Sequence, residues 1–94
     1  MPYVLIRHKV TDFDSWQPIF DDHRRARESA GSTGGQIFQS AEDPTEVVVL
    51  LEWDSIEDAR RFIHSKDLRE AMTRSGVSDA PDMLVLEKVT DTPS

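Results

Sequence analysis

Cysteine is missing altogether from the 94 residues of the chain. No disulfide can staple it, and no thiolate can ligate a metal or attack a substrate. Zinc ribbons, iron–sulfur proteins, thioredoxin-like redox proteins and cysteine hydrolases are excluded on that ground. Basic residues are also few: Lys and Arg number 11 against 18 Asp and Glu, a net charge of −7. Phosphate contacts need a basic face, and an anionic membrane surface repels an acidic chain. Neither nucleic acid nor a membrane is an expected partner. No apolar run approaches the ~20 residues that cross a bilayer. The start, Met1-Pro2-Tyr3-Val4, lacks the basic-then-apolar pattern of a secretory signal. A cytoplasmic protein with one domain is expected, spanning 1–89, with 90–94 as a short, polar, flexible tail.

The motifs of several large enzyme classes are missing too. There is no Gly-x-Ser-x-Gly elbow for a serine nucleophile. No His-x-x-x-His or Glu-x-x-His spacing offers a metal site. Gly31-Ser32-Thr33-Gly34-Gly35 precedes a strand and not a helix, so it does not cradle a nucleotide phosphate. No metal and no cofactor is expected.

What is present reads as alternating strands and helices. Residues 3–10, Tyr-Val-Leu-Ile-Arg-His-Lys-Val, are strand formers without a breaker. Ser15 can cap a first helix, which sets Pro18 in its first turn. Trp16, Ile19, Phe20 and Ala30 follow a helical period, and Gly31 is a good stop. A short strand, Gln36 to Ser40, and a strong one, Glu46 to Trp53, flank turn chemistry at Glu42-Asp43-Pro44-Thr45. They pair as a hairpin. Asp54 or Ser55 caps a second helix with the stripe Ile56, Ala59, Phe62 and Ile63; Asp54 with Glu57 makes a capping box. A short third helix covers about Leu68 to Arg74, with Asp67 and Glu70 as its capping pair, and ends at Gly76. Met83 to Val89 is the last strand.

This order predicts an α+β, ferredoxin-like βαββαβ fold: a four-stranded antiparallel sheet with helices on one face. The strands are apolar on both parities. Strand three, for example, carries Val47, Val49 and Leu51 on one and Val48 and Leu50 on the other. Two helices cover one face only. A second copy covers the other most simply, giving a homodimer through sheet faces, a dimeric α/β barrel.

Some residues do not suit a plain core. On a helical wheel zeroed at Trp16, Phe20, His23 and Arg27 fall within roughly 40° of it. His8 shares the parity of Val4, Ile6 and Val10, which should face the helices. His8 and His23 then point into one space, walled by Trp16, Phe20, Trp53 and Phe62. Imidazole suits general acid–base work near neutral pH. Arg27 could hold a carboxylate, phenolate or enolate oxygen through its donor fork. The candidate catalytic residues are His8 and His23; the candidate substrate-binding residues are Trp16, Phe20, Arg27, Trp53 and Phe62. Each also has a bland reading. The histidines could be hydrogen-bonded core residues, the tryptophans core, and Arg27 a snorkelling cation near a helix C-terminus. His64 projects off the second stripe and reads as solvated. Arg7 and Lys9 face the proposed dimer interface, where Glu52 or Glu87 could pair with them.

The chain resembles the antibiotic-biosynthesis-monooxygenase-like group of the dimeric α/β barrel superfamily over about residues 3–89. The resemblance rests on Val4-Leu5-Ile6-Arg7-His8-Lys9-Val10 and on Trp16-x-Pro18-x-Phe20. It rests also on Val47-Val48-Val49-Leu50-Leu51-Glu52-Trp53 followed by Ser55-x-Glu57-x-Ala59-x-x-Phe62. It implies chemistry without cofactors, such as oxygenation of polycyclic phenols to quinones, or lactone and cyclisation reactions. Haem degradation and members of no known activity also belong to the superfamily. It implies a pocket between sheet and helices, with His8 and Trp53 at broadly comparable places. The chain departs from the group in having no Asn and one tyrosine, Tyr3. Ala71 or Met72 stands where haem-degrading relatives carry a His. Three functions fit: an enzyme on a small aromatic or polyketide-like molecule, a dimer that sequesters a hydrophobic metabolite, and a structural or interaction module.

Overall fold

The computed structural model describes residues 1–78 and 80–94. In chain order the elements are β1 (Pro2–Lys9), α1 (Phe13–Asp22), α2 (Arg24–Ala30) and β2 (Ser32–Gln39). They continue with β3 (Glu46–Trp53), α3 (Ile56–Ile63), α4 (Lys66–Arg74) and β4 (Asp82–Glu87). One antiparallel sheet runs β2-β3-β1-β4, so the two central strands are the first and third in sequence. This is the expected ferredoxin-like α+β architecture, with each long helical region divided in two.

Strand parity follows the sequence reading. Along β1, Val4, Ile6, His8 and Val10 are buried while Arg7 and Lys9 are exposed. Val47, Val49, Leu51 and Trp53 are the buried residues of β3. Both sets face the helices and meet Trp16, Ala59, Phe62 and Leu68 in one apolar core. The opposite face is apolar and uncovered. Leu5 pairs with Leu50 and Leu84 across the strands, Phe38 with Val48, and Leu86 with Tyr3. Leu84, Phe38 and Leu86 are 53%, 49% and 37% exposed. Within the chain Arg7 pairs with Glu46 at the start of β3, and Lys9 with Asp43 in the turn before it.

The helix starts needed correction. Asp12, not Ser15, caps α1: its carboxylate accepts the Ser15 N–H at 3.1 Å and the Ser15 hydroxyl at 2.7 Å. Asp12 therefore captures both groups of the residue expected to cap, and Pro18 lies inside the helix. The single expected helix also breaks at His23. Its φ of −79° and ψ of 0° leave one N–H shared between the Ile19 and Phe20 carbonyls, 3.2 Å each. Ser55 caps α3 through the Asp58 N–H, so Asp54 and Glu57 form no box. Ser65 caps α4 through the Leu68 N–H, two residues before the expected cap, and Asp67 is free for another partner.

β2 begins four residues before the expected Gln36 because Gly34 and Gly35 belong to it. A Cβ at Gly35 would lie 2.4 Å from the Leu50 carbonyl oxygen. Glycine here permits close strand approach rather than a loop. Gly31 ends α2 as expected, at φ 119°. β4 stops at Glu87, before the expected Val89.

Candidate functional site

The site lies between the helices and the helix-facing side of β1 and β3. β1 alternation turns His8 inward, where it is 5% exposed. Its ring centroid is 5.6 Å from that of Trp16. Trp16 stacks in turn on Phe13 and, at 4.9 Å, on Phe20. The break at His23 starts α2, whose Arg27 lays its guanidinium 3.7 Å from the Phe20 ring centroid. The Arg27 Nη1 donates to the Phe20 carbonyl at 2.6 Å. Helical spacing thus gathers Trp16, Phe20, His23 and Arg27 on one side despite the break.

These residues line a narrow cavity of about 30 Å3, room for roughly one or two waters. His8, Trp16, Phe20, His23, Arg27 and Phe62 all take part in its wall. Trp53 does not. It is fully buried and packs on Phe62, ring centroids 4.7 Å apart, so Phe62 separates it from the cavity. The substrate-wall reading of Trp53 is corrected to a core one. Sequence reasoning missed the far wall: Leu68, Ala71, Met72 and Ser75 from α4 and its end. Their i, i+3, i+4, i+7 spacing was the signal that could have found them.

The two cavity histidines have unlike surroundings. Among the described residues, both ring nitrogens of His8 are buried without a hydrogen-bond partner. Burial among apolar groups pushes its pKa down to about 4, so it is neutral at physiological pH. Buried polar atoms are nearly always paired in folded proteins, and each exception calls for a reason. His23 has a partner: its Nε2 lies 2.6 Å from the Asp67 carboxylate. A carboxylate only accepts, so Nε2 carries the hydrogen and a neutral His23 keeps Nδ1 as an acceptor. No spacing in the sequence signals this pair, since Asp67 stands 44 residues from His23 and fits the pattern of a cap. Burial pushes the Arg27 pKa down, opposed by the charges of Asp21 and Glu28.

The set offers a neutral imidazole with two vacant nitrogens, an imidazole oriented by a carboxylate, a buried guanidinium and aromatic walls. It can accept a proton, donate hydrogen bonds to an oxyanion and exclude water. Among the described residues, no three His, Asp or Glu side chains come together as metal ligands. No described helix is long and apolar enough to cross a membrane. His64 caps the end of α3, exposed and away from the cavity.

Strand order, helix placement and the covered polar cavity define a ferredoxin-like α+β protein, with the fold of the antibiotic biosynthesis monooxygenase domains. A protein from Bordetella bronchiseptica, provisionally described as an antibiotic biosynthesis monooxygenase, superposes with a TM-score of 0.78 at 17% identity. The match covers 95% of this chain and 97% of that one. SnoaB, a cofactor-independent oxygenase from Streptomyces nogalater, superposes with a TM-score of 0.76 at 11% identity, over 99% and 97% of the two chains. A Caulobacter crescentus protein with the same provisional description gives 0.72 at 17% identity, over 95% and 90%. No protein-family model and no curated protein matches the chain. At these identities the likeness is one of fold.

Proposed function

We propose that the chain is a cofactor-independent, monooxygenase-like enzyme for a small aromatic or polyketide-like molecule, held between sheet and helices. One observation carries the reading: His8, neutral, with both ring nitrogens buried and unpartnered among the described residues, stands in the wall of an aromatic-lined cavity. The fold it shares with SnoaB supports the same reaction class. His8 accepts a proton from a phenol or an activated carbon of the ligand. Burial disfavours the imidazolium alone, but an adjacent phenolate or enolate offsets that cost by pairing with it. His23, oriented by Asp67, is the second base, in the manner of a base held by a carboxylate. Trp16, Phe20 and Phe62 bound the ring system, and Arg27 faces the developing oxyanion. The anion then reduces O2: a ring CH2 becomes C=O, and the second oxygen atom leaves as water.

The functional unit is a homodimer through the exposed apolar face that carries Phe38, Leu84 and Leu86. Contiguous exposed apolar patches of this kind mark interaction surfaces.

Oxygen uptake with a tricyclic hydroxyanthrone tests the enzyme reading. His8→Ala and His23→Ala should each lower turnover by about 10²–10⁴-fold, the usual worth of a positioned acid–base group. Both variants should sediment as the wild-type dimer. Wild-type rates in both would refute the assignment. The narrowness of the cavity favours one other reading, an interaction module with a filled interior. Under it, no aromatic ligand enters and no oxygen is consumed.

A further inference from the structure

A second hollow adjoins the cavity. It opens between α2 and β2 and has a volume of about 250 Å3. Phe20, Arg27 and Leu51 belong to the walls of both spaces. Phe20 and Arg27, clasped face to face at 3.7 Å, therefore form the partition between an outer groove and the inner cavity. Only the inner cavity holds His8 and His23.

The guanidinium in that partition is unusual for this chain. Arg27 is 7% exposed, and one hydrogen bond, to the Phe20 carbonyl, is its recorded side-chain partner. A guanidinium has five N–H donors. Among the described residues no carboxylate pairs with it; Asp21 and Glu28 act only at longer range. Glu28, the acid of the outer groove, already has Arg24 at 3.5 Å. The chain has a net charge of −7, yet no acid among the described residues forms an ion pair with this cation. Buried charges are retained when something pairs with them.

We infer that the groove and the cavity are one ligand site divided by Phe20 and Arg27, and that it takes a planar aromatic carboxylate. The carboxylate binds the free donors of Arg27, and the ring system lies inward towards His8. Phe20, only half-buried, is the side chain that shifts to admit the ring. Joined, the two spaces approach the scale of small-molecule sites. This rests on the aromatic-ligand reading of the cavity and adds the charge and the anchor of its ligand.

Two probes of one shape separate the claims: 2-naphthoate and its neutral amide, 2-naphthamide, titrated near neutral pH. Trp16 fluorescence and calorimetry report binding. Wild type should bind the naphthoate at least about tenfold more tightly, as a charge-assisted hydrogen-bond pair requires. Arg27→Gln should lose that preference while keeping its affinity for the amide. The Arg27 side-chain N–H resonance of the wild type should move with naphthoate and stay with amide, so the assignment survives a variant that fails to fold. Equal binding of both probes by wild type overturns the anion site and leaves the aromatic cavity standing. A preference retained in Arg27→Gln overturns Arg27 as the anchor. If neither probe binds, the cavity reading falls together with this one.

Discussion

The interior of this protein has two aromatic ends made from the same residue types. At one end Trp53 packs on Phe62 within the hydrophobic core, its Nε1 buried with no hydrogen-bond partner among the described residues. At the other, Trp16 stacks on Phe20, and His8, His23 and Arg27 are buried beside them. The first end is hydrophobic core with one unpaired polar atom, the Trp53 Nε1. The second keeps polar groups out of water without fully satisfying them, which costs stability. Proteins accept such costs at binding and catalytic sites. The lesson is that neither a tryptophan nor one unpaired nitrogen distinguishes core from site; the ionisable side chains and the cavity beside them do.

Substitutions can break that comparison. Trp53→Ala should cost about 3–5 kcal/mol, because a fully buried ring leaves a cavity its neighbours cannot close. Phe20→Ala, at a half-buried position on a hollow, should cost only about 1–2 kcal/mol. Denaturant unfolding compares them directly. Equal losses would mean that the Phe20 end is also ordinary core.

Next in size is His8→Leu, which removes two unpaired buried nitrogens. Its stability near neutral pH should stay within about 1 kcal/mol of wild type. The pH dependence separates them more clearly. Folded His8 takes a proton only near pH 4, whereas an unfolded histidine does so near 6.5. Between these values the unfolded chain binds more protons, so His8 makes stability fall as pH drops from about 6.5 to 4. His8→Leu should flatten that slope by one proton's worth. An unchanged slope would show that His8 takes its proton at the same pH in the folded and unfolded chain.

The smallest effect is expected from Asp67→Asn. Asp67 is largely exposed, so solvent screens the pair and stability should change by less than about 1 kcal/mol. Turnover should fall, because an amide can hold His23 in the wrong tautomer. A melting temperature that falls as far as it does for Trp53→Ala would make the pair structural.

Much of this was legible in the sequence. Two-residue periodicity turned His8 to the helix side, and helical spacing aligned Trp16, Phe20, His23 and Arg27. Both survived folding because burying the apolar members of each set fixes where the others point. Three features were not legible. Trp53 has the same parity as the cavity-facing residues of its strand, but Phe62 from another element stands in front of it. Asp67 precedes the expected helix start at Leu68 and so fits a cap, but the helix begins at Lys66 and Ser65 caps it. Gly34 and Gly35 looked like a loop because their role, close approach to Leu50 and Leu51 of β3, is set by a partner strand. The Trp53 and glycine misses depend on contacts between elements, which local pattern does not encode; the Asp67 miss follows from a helix that starts two residues earlier than expected.

The central claim is that His8 is a neutral, unpartnered base facing a ligand cavity. Nitrogen NMR of the imidazole rings, followed through a pH titration with and without 2-naphthol, tests it most directly. The account predicts that the His8 ring stays neutral down to near pH 4 and that the naphthol hydroxyl shifts one of its nitrogens. A titration midpoint near 6.5, with no response to the naphthol, would contradict it.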